Sequence, residues 1–279
     1  MGRLALMPTN LVHRFDATTG ETPVNAYIVE SASGAVLIDS TLTVSDGRAL
    51  RARIEELGKP LLGAVITHTH PDHYGGLVEV TRGLDVPVLA ATGIADAIRR
   101  DDPVKEQILR PMFGEEWALD RTFPSEEVAD GESVSLGGIS LRLTNLGPGE
   151  SPQDSFWTLD SDRQQVFCGD LAYDRHHCYL ADGFYQDWLA NIERARRALP
   201  EGTTLHPGHG EPCGTEVLDW QAGYINAFVE AVSDASWSDP DAARESVVEK
   251  MKDYLPTGRL QFLMELSIDP IAAQLGLNR

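Results

Sequence analysis

Thr67-His68-Thr69-His70-Pro71-Asp72-His73-Tyr74-Gly75-Gly76 places three histidines and an aspartate within six residues. The apolar run Leu61-Leu62-Gly63-Ala64-Val65-Ile66 stands directly before it and reads as a buried strand. Gly75-Gly76 and a helix-like pattern follow. The polar cluster therefore lies on a loop leaving the end of a core strand, where α/β proteins place their sites. Side chains two apart in an extended segment point the same way, so His68 and His70 can face one cation together. Asp72 and His73 lie at the turn and can face a second. Imidazole and carboxylate suit Zn²⁺ or a similar divalent ion. Polar groups this dense behind a buried strand are costly unless they bind a partner.

Working outward, residues 24–29 read as a strand and residues 34–39 as its hairpin partner, with residues 31–34 as the turn. Residues 46–57 have helical spacing, with Leu50, Ile54 and Leu57 on one face, and Gly58-Lys59-Pro60 stops them. Residues 86–90 form the next expected strand. Residues 92–123 look mostly helical and carry Ile108, Met112, Phe113 and Trp117, either as the wall of a substrate pocket or as ordinary helix packing. Residues 128–131 and 133–136 are expected to open an antiparallel hairpin region, with a strand at 139–143. Residues 155–159 and 165–169 read as paired strands joined by residues 160–163, and Asp170 ends the second. Residues 182–199 read as an amphipathic helix, and 203–205 as a short last strand that delivers His206-Pro207-Gly208-His209-Gly210. Helical patterns at 218–232, 241–254 and 258–275 follow, with a linker at 236–240.

The H-x-H-x-D-H run, with Asp39 before it and Asp170 and His209 after it, resembles the signature of the metallo-β-lactamase superfamily, in its glyoxalase II and lactonase-like branch. The resemblance implies an α/β fold, a four-layer αββα sandwich with metals at one edge between the sheets. Residues 1–213 would form that domain, with a helical insertion at about 92–123. Residues 214–279 would form a helical C-terminal extension packed on the same domain. It makes Asp39 the carboxylate behind the metal histidines that orients one of them, a helix cap being the alternative. Asp170 would bridge both metals, and His209 would complete the second site with Asp72 and His73. The family's third metal motif usually reads G-P-G-H-[ST] followed by Asp. Here it reads Gly147-Pro148-Gly149-Glu150-Ser151, with Asp154 beyond, so Glu150 stands at the histidine position.

Taken literally, the first site becomes His68, His70 and Glu150, with an open position. Asp72, Asp170 and Glu150 together with a bridging hydroxide would then neutralise two divalent ions. Such a site acidifies water less and favours harder ions, Mn²⁺ or Fe²⁺, more than an all-imidazole site does. The alternative has Glu150 pointing away, with Asp154 or water in its place. Tyr173 stands at the offset where superfamily lactonases set a tyrosine over the substrate carbonyl, and a packed loop tyrosine is the other reading. His176, His177 and His206 read as structural or surface histidines.

The resemblance implies a hydrolase with two divalent ions, zinc first and iron or manganese as alternatives. Its substrate would be a small-molecule ester, lactone, thioester or amide carbonyl, attacked by a bridging hydroxide, with Asp72 orienting that nucleophile and accepting the proton its parent water gives up. An iron-dependent oxidoreductase or dioxygenase on the same scaffold is the alternative. A β-lactamase and a non-catalytic metal-binding domain are further, weaker ones.

Composition narrows the partners. The chain has 279 residues, 42% of them hydrophobic, enough for one packed domain with a small appendage. A net charge of −20 argues against nucleic acid and against an anionic membrane surface. No apolar run approaches the roughly 20 residues of a membrane span. Residues 1–10 carry no signal-peptide pattern. Cys168, Cys178 and Cys213 form no C-x-x-C and suit a reducing compartment, so a cytoplasmic location is expected. Whether the tail covers the pocket or supports a homodimer stays open at this level.

Overall fold

The computed structural model describes residues 10–17, 19, 22–161 and 163–277. The reading of residues 1–10 as free of a signal peptide thus falls, but for Asn10, outside the described residues, as does Asp162 of the 160–163 turn. The expected hairpin is formed by β2 (Val24–Glu30) and β3 (Ala35–Ile38), in register from Tyr27 opposite Ile38 to Glu30 opposite Ala35. Ser31 N–H donates to Gly34 O at 2.8 Å to close its turn. From β3 the sheet grows by parallel addition of β4 (Leu61–Ile66), β5 (Val88–Ala91) and β6 (Glu126–Val128). At the opposite edge β1 (Leu11–Ala17) pairs antiparallel with β2. The sequence reading named no strand there, because His13, Arg14 and Asp16 leave too few apolar positions for an alternation to show.

Parallel strands need crossovers, and helices supply them. α1 (Val44–Glu56) begins at Thr43, whose hydroxyl accepts the Asp46 N–H at 3.2 Å, and it buries Leu50 and Ile54 against the first sheet. α2 (Leu77–Thr81) follows the histidine loop and its 3₁₀ turn Pro71–His73. α3 (Ile94–Phe113) runs into a 3₁₀ turn at Gly114–Glu116, and residues 117–123 are not helical. The helix of the insertion is therefore shorter than the expected 92–123. Gly114, at φ 57°, ends it by leaving the helical region.

The second sheet is ordered β11-β10-β9-β8-β7, from β7 (Ser133–Leu136), β8 (Ile139–Gly147), β9 (Asp154–Leu159), β10 (Gln165–Tyr173) and β11 (Thr204–His209). Two expectations change here. Residues 128–131 do not open its hairpin: Val128 pairs with Ala91 in the first sheet, and the chain crosses between sheets before Ser133. A three-residue strand carries no local sign of which sheet it joins. Asp170 does not end its strand but lies inside β10, past a bulge where Gly169 takes φ 49° and the register on β11 shifts. A bulge re-aims the side chains beside it, and a Cβ on Gly169 would stand 2.5 Å from the Thr67 hydroxyl.

Period-two alternation sorts the second sheet's side chains into two cores. Ile139, Leu141, Leu143, Trp157 and Phe167 pack toward the first sheet, while Phe156, Val166 and Cys168 pack outward. The outer core is closed by α4 (Tyr185–Ala198), α5 (Val217–Asp234), α6 (Pro240–Tyr254) and α7 (Gln261–Gln274). The layers are thus helix, sheet, sheet, helix. Each large apolar side chain so buried contributes about 1.5–3 kcal/mol relative to exposure. Among the described residues no helix is long and apolar enough to cross a membrane.

Because β3 runs parallel to β4, Asp39 and Thr67 leave the first sheet at the same edge. Because β10 runs parallel to β11, Asp170, just past the Gly169 bulge, and His209, at the end of β11, come to the same edge of the second sheet. The sheets are stitched at this edge: the Ser155 N–H and hydroxyl both donate to Thr67 O, at 2.9 and 2.7 Å.

Candidate metal centre

The stitched edge brings His68, His70, Glu150 and Asp170 into one set of converging ligand atoms and Asp72, His73 and His209 into another. Asp170 lies between the two: Oδ1 is 3.3 Å from His73 Nε2, and Oδ2 is 3.2 Å from His209 Nε2 and 3.8 Å from His68 Nε2. Asp72 Oδ2 is 3.3 Å from His209 Nε2 and 3.8 Å from His73 Nε2. Two atoms each about 2.1 Å from a tetrahedral ion stand about 3.4 Å apart, so these separations match ligands around a shared cation. His68 Nε2, His73 Nε2, His209 Nε2 and Asp170 Oδ1 are buried without a well-formed hydrogen bond. Leaving such groups unmet costs about 1–3 kcal/mol each. A cation satisfies them together, so the residues fit divalent metal.

The outward nitrogens are held by the protein. His73 Nδ1 is 3.0 Å from Asp39 Oδ2, His68 Nδ1 is 2.9 Å from the Thr67 hydroxyl, and His209 Nδ1 is 2.5 Å from Pro23 O. Asp39 also takes the Thr67 N–H and hydroxyl, each at 2.7 Å, from a left-handed backbone at φ 55°. The cap of α1 is Thr43, which leaves Asp39 for the histidine loop. Strained backbone at such a position is common where a site over-determines it. Gly208 permits the close approach of β11, since a Cβ there would overlap Asp170 Oδ1 and crowd His73.

Charge follows the same geometry. Burial would raise the Asp170 carboxyl, yet His209, His73 and His68 outweigh it and hold it well below the usual carboxylate range. Burial likewise opposes His73 and His209, but Asp170 above all takes His73 well up and His209 up to about 10. His68 goes the other way, pushed down by burial and by His73. The acids therefore demand positive charge from the imidazoles, and a divalent ion supplies it in place of those protons.

Glu150 points inward. It is 1% exposed, with Oε2 2.7 Å from His70 Nδ1 and 3.6 Å from His68 Nε2. Asp154 is occupied elsewhere, taking the Glu150 N–H at 2.6 Å and the Ser151 N–H and hydroxyl at 3.1 and 2.6 Å. It shapes the loop that presents Glu150. Of the two readings of Tyr173, a donor over the substrate or a packed tyrosine, its surroundings match the packed one: it is buried, its hydroxyl donates to Glu150 Oε1 at 2.9 Å, and its ring stacks on His209. Burial pushes its phenol well up, so the proton stays on oxygen. Replacing Glu150 by Ala is expected to remove about one equivalent of bound metal per chain, read by elemental analysis. Unchanged content would take Glu150 out of the ligand set.

The sequence reading missed Asp182 and Lys105. It places Asp182 in a helix, but that helix starts only at Tyr185, and Asp182 Oδ2 lies 3.0 Å from His70 Nε2. The Asp182-Gly183 pair was the available signal, a turn rather than a helix start. Lys105 on α3 donates to Thr69 O, between the two histidines, at 2.9 Å. His176, His177 and His206 are held by other groups, Asp174 O, Thr257 O and Tyr224, and Gln165 respectively, and belong to neither converging set.

Comparison with known proteins gives the same answer. The family model of the metallo-beta-lactamase superfamily matches residues 19–209. An acyl-coenzyme A thioesterase of Bos taurus is 28% identical over 218 residues, 70% of this chain and 75% of that one. A hydroxyacylglutathione hydrolase of Methylococcus capsulatus is 28% identical over 183 residues, 64% of this chain and 59% of that one. Among solved structures, a metallo-beta-lactamase family protein of Thermus thermophilus shares the fold, with TM-score 0.67, 20% identity and coverage of 95% of this chain and 94% of that one. Since the family match runs through every converging side chain from Asp39 to His209, this chain belongs to the metallo-beta-lactamase superfamily.

Proposed function

We propose that the protein is a dinuclear metal-dependent hydrolase of an acyl bond, with a thioester as the first substrate class and esters, lactones and amides behind it. The convergence of buried, unpartnered ligand atoms carries this reading. His68, His70 and Glu150 would hold one ion, and Asp72, His73 and His209 the other, with Asp170 reaching both. Zinc suits this donor set first, iron or manganese next. Bound ions of this kind supply Lewis acidity and lower the pKa of water toward neutrality.

The chain's own groups do the rest. Asp72 is the ligand carboxylate nearest solvent, at 14% exposure, against 2% or less for Asp170 and Glu150. It is placed to orient an attacking water and take its proton. Tyr173 holds Glu150, so the carboxylate cannot swing out of the centre. The similarity to an acyl-coenzyme A thioesterase supports the choice of thioester.

The test is a substrate panel on zinc-loaded protein: acyl thioesters, simple esters, lactones and β-lactams, with oxygen uptake followed in parallel. The expected result is thioester hydrolysis without oxygen uptake. A second reading, an iron-dependent oxidoreductase, is favoured by the two imidazoles and one carboxylate of His68, His70 and Glu150. Oxygen consumption with an iron spectrum would select it instead. Inertness toward every class, with metal bound, would leave a binding domain.

A further inference from the structure

The ligand histidines are not presented alike. His68, His73 and His209 turn Nε2 inward and anchor Nδ1 on residues of the strand ends. His70 turns Nδ1 inward, 2.7 Å from Glu150 Oε2, and its outer nitrogen meets Asp182 Oδ2 at 3.0 Å. Its ring lies edge-on to Tyr179, with centroids 5.3 Å apart. A carboxylate accepting the Nε2 proton of an imidazole fixes the tautomer that bares Nδ1 and fixes the ring's direction.

Asp182 belongs to a loop, and the loop is held from outside the sandwich. Leu180 N–H donates to the Ser267 hydroxyl at 2.8 Å, and Gln274 Nε2 donates to Gly183 O at 2.9 Å, both from α7. Gly183 N–H closes the turn on Leu180 O at 3.1 Å. The loop segment 180–183 is thus clamped to the C-terminal helix on both sides of Asp182.

We propose that Asp182 is the positioning residue of the first metal site, fixing His70 with Nδ1 toward the cation, and that α7 holds Asp182 there through Ser267 and Gln274. The C-terminal extension is then part of the metal site's support. The proposal rests on reading His70 as a ligand, and the experiment separates the two.

Zinc affinity is measured by chelator competition on the full chain, alongside ¹⁵N-histidine spectra of the zinc-loaded protein. Wild type should show one ring with Nδ1 on zinc and an Nε2 proton protected from exchange. Asp182→Ala should weaken one zinc equivalent about 10–100-fold, leave the other unchanged, and expose that proton. Asp182→Asn keeps an accepting oxygen and should lose less. Ser267→Ala combined with Gln274→Ala should fall between wild type and Asp182→Ala. If wild type binds two zinc ions and Asp182→Ala matches it in affinity and proton protection, the proposal is overturned while the metal reading stands. If wild type binds no zinc, both fall.

Discussion

Asp170→Asn is expected to strip both ions from the centre and lower turnover about a hundred- to a thousandfold, the scale seen when one preorganised charge-stabilising group is removed. The substitution keeps the shape and removes the charge. Among the described residues, Asp170 is the carboxylate whose oxygens face both ligand clusters, His73 through Oδ1, His209 and His68 through Oδ2. Losing that charge leaves His73, His209 and His68 around a neutral amide whose NH₂ can only repel a cation. Folding should survive, because the bulge at Gly169 and the pairing of β10 with β11 are set by backbone. Metal content and kcat/KM on the best substrate of the panel check this together. A variant that kept both ions and near-normal turnover would remove Asp170 from the centre.

Chelation should cost stability as well as activity. An ion that binds only the folded chain contributes about 4 kcal/mol at a free concentration a thousand times its Kd. For a chain of 279 residues that corresponds to a fall in Tm of about 7 °C for one site. The physical source is the buried polar array: with no cation, Glu150, Asp170 and the facing imidazoles must be balanced by protons alone. Burial pushes Glu150 up to about 8 even against the pull of His70, so that balance is poor. Thermal unfolding with and without a strong chelator, followed by zinc addition, reads the effect. A Tm that moves with neither treatment would contradict the reading of these residues as a metal centre.

How much of this was legible in the chain differs by element. The loop from His68 to His73 was, because its chemistry depends on side chains one, two and four positions apart in an extended-then-turning segment. The β2–β3 hairpin and the strand before the loop were, since apolar alternation and runs are local signals. β1 was not, its alternation being blunted by charged residues, nor was the placement of Val128 in the first sheet. Tyr173 reads equally as a donor for substrate or as a packed tyrosine, because its offset from Asp170 says nothing of what faces it, and Glu150 faces it. The turn at Asp182-Gly183 was legible, but the pairing of Asp182 with His70 was not, because the two are 112 positions apart.

By itself, the sequence determined which residue types could ligate metal, in what order, and that the histidine loop follows a buried strand. Only the tertiary structure decided that Glu150 turns inward, that Tyr173 holds it, and that a tail helix holds the loop carrying Asp182. The reason is physical: ligand chemistry belongs to individual side chains and short spacings, whereas convergence comes from parallel strand pairing and the packing of one sheet on another. Those contacts join distant segments, and no local periodicity records which ones.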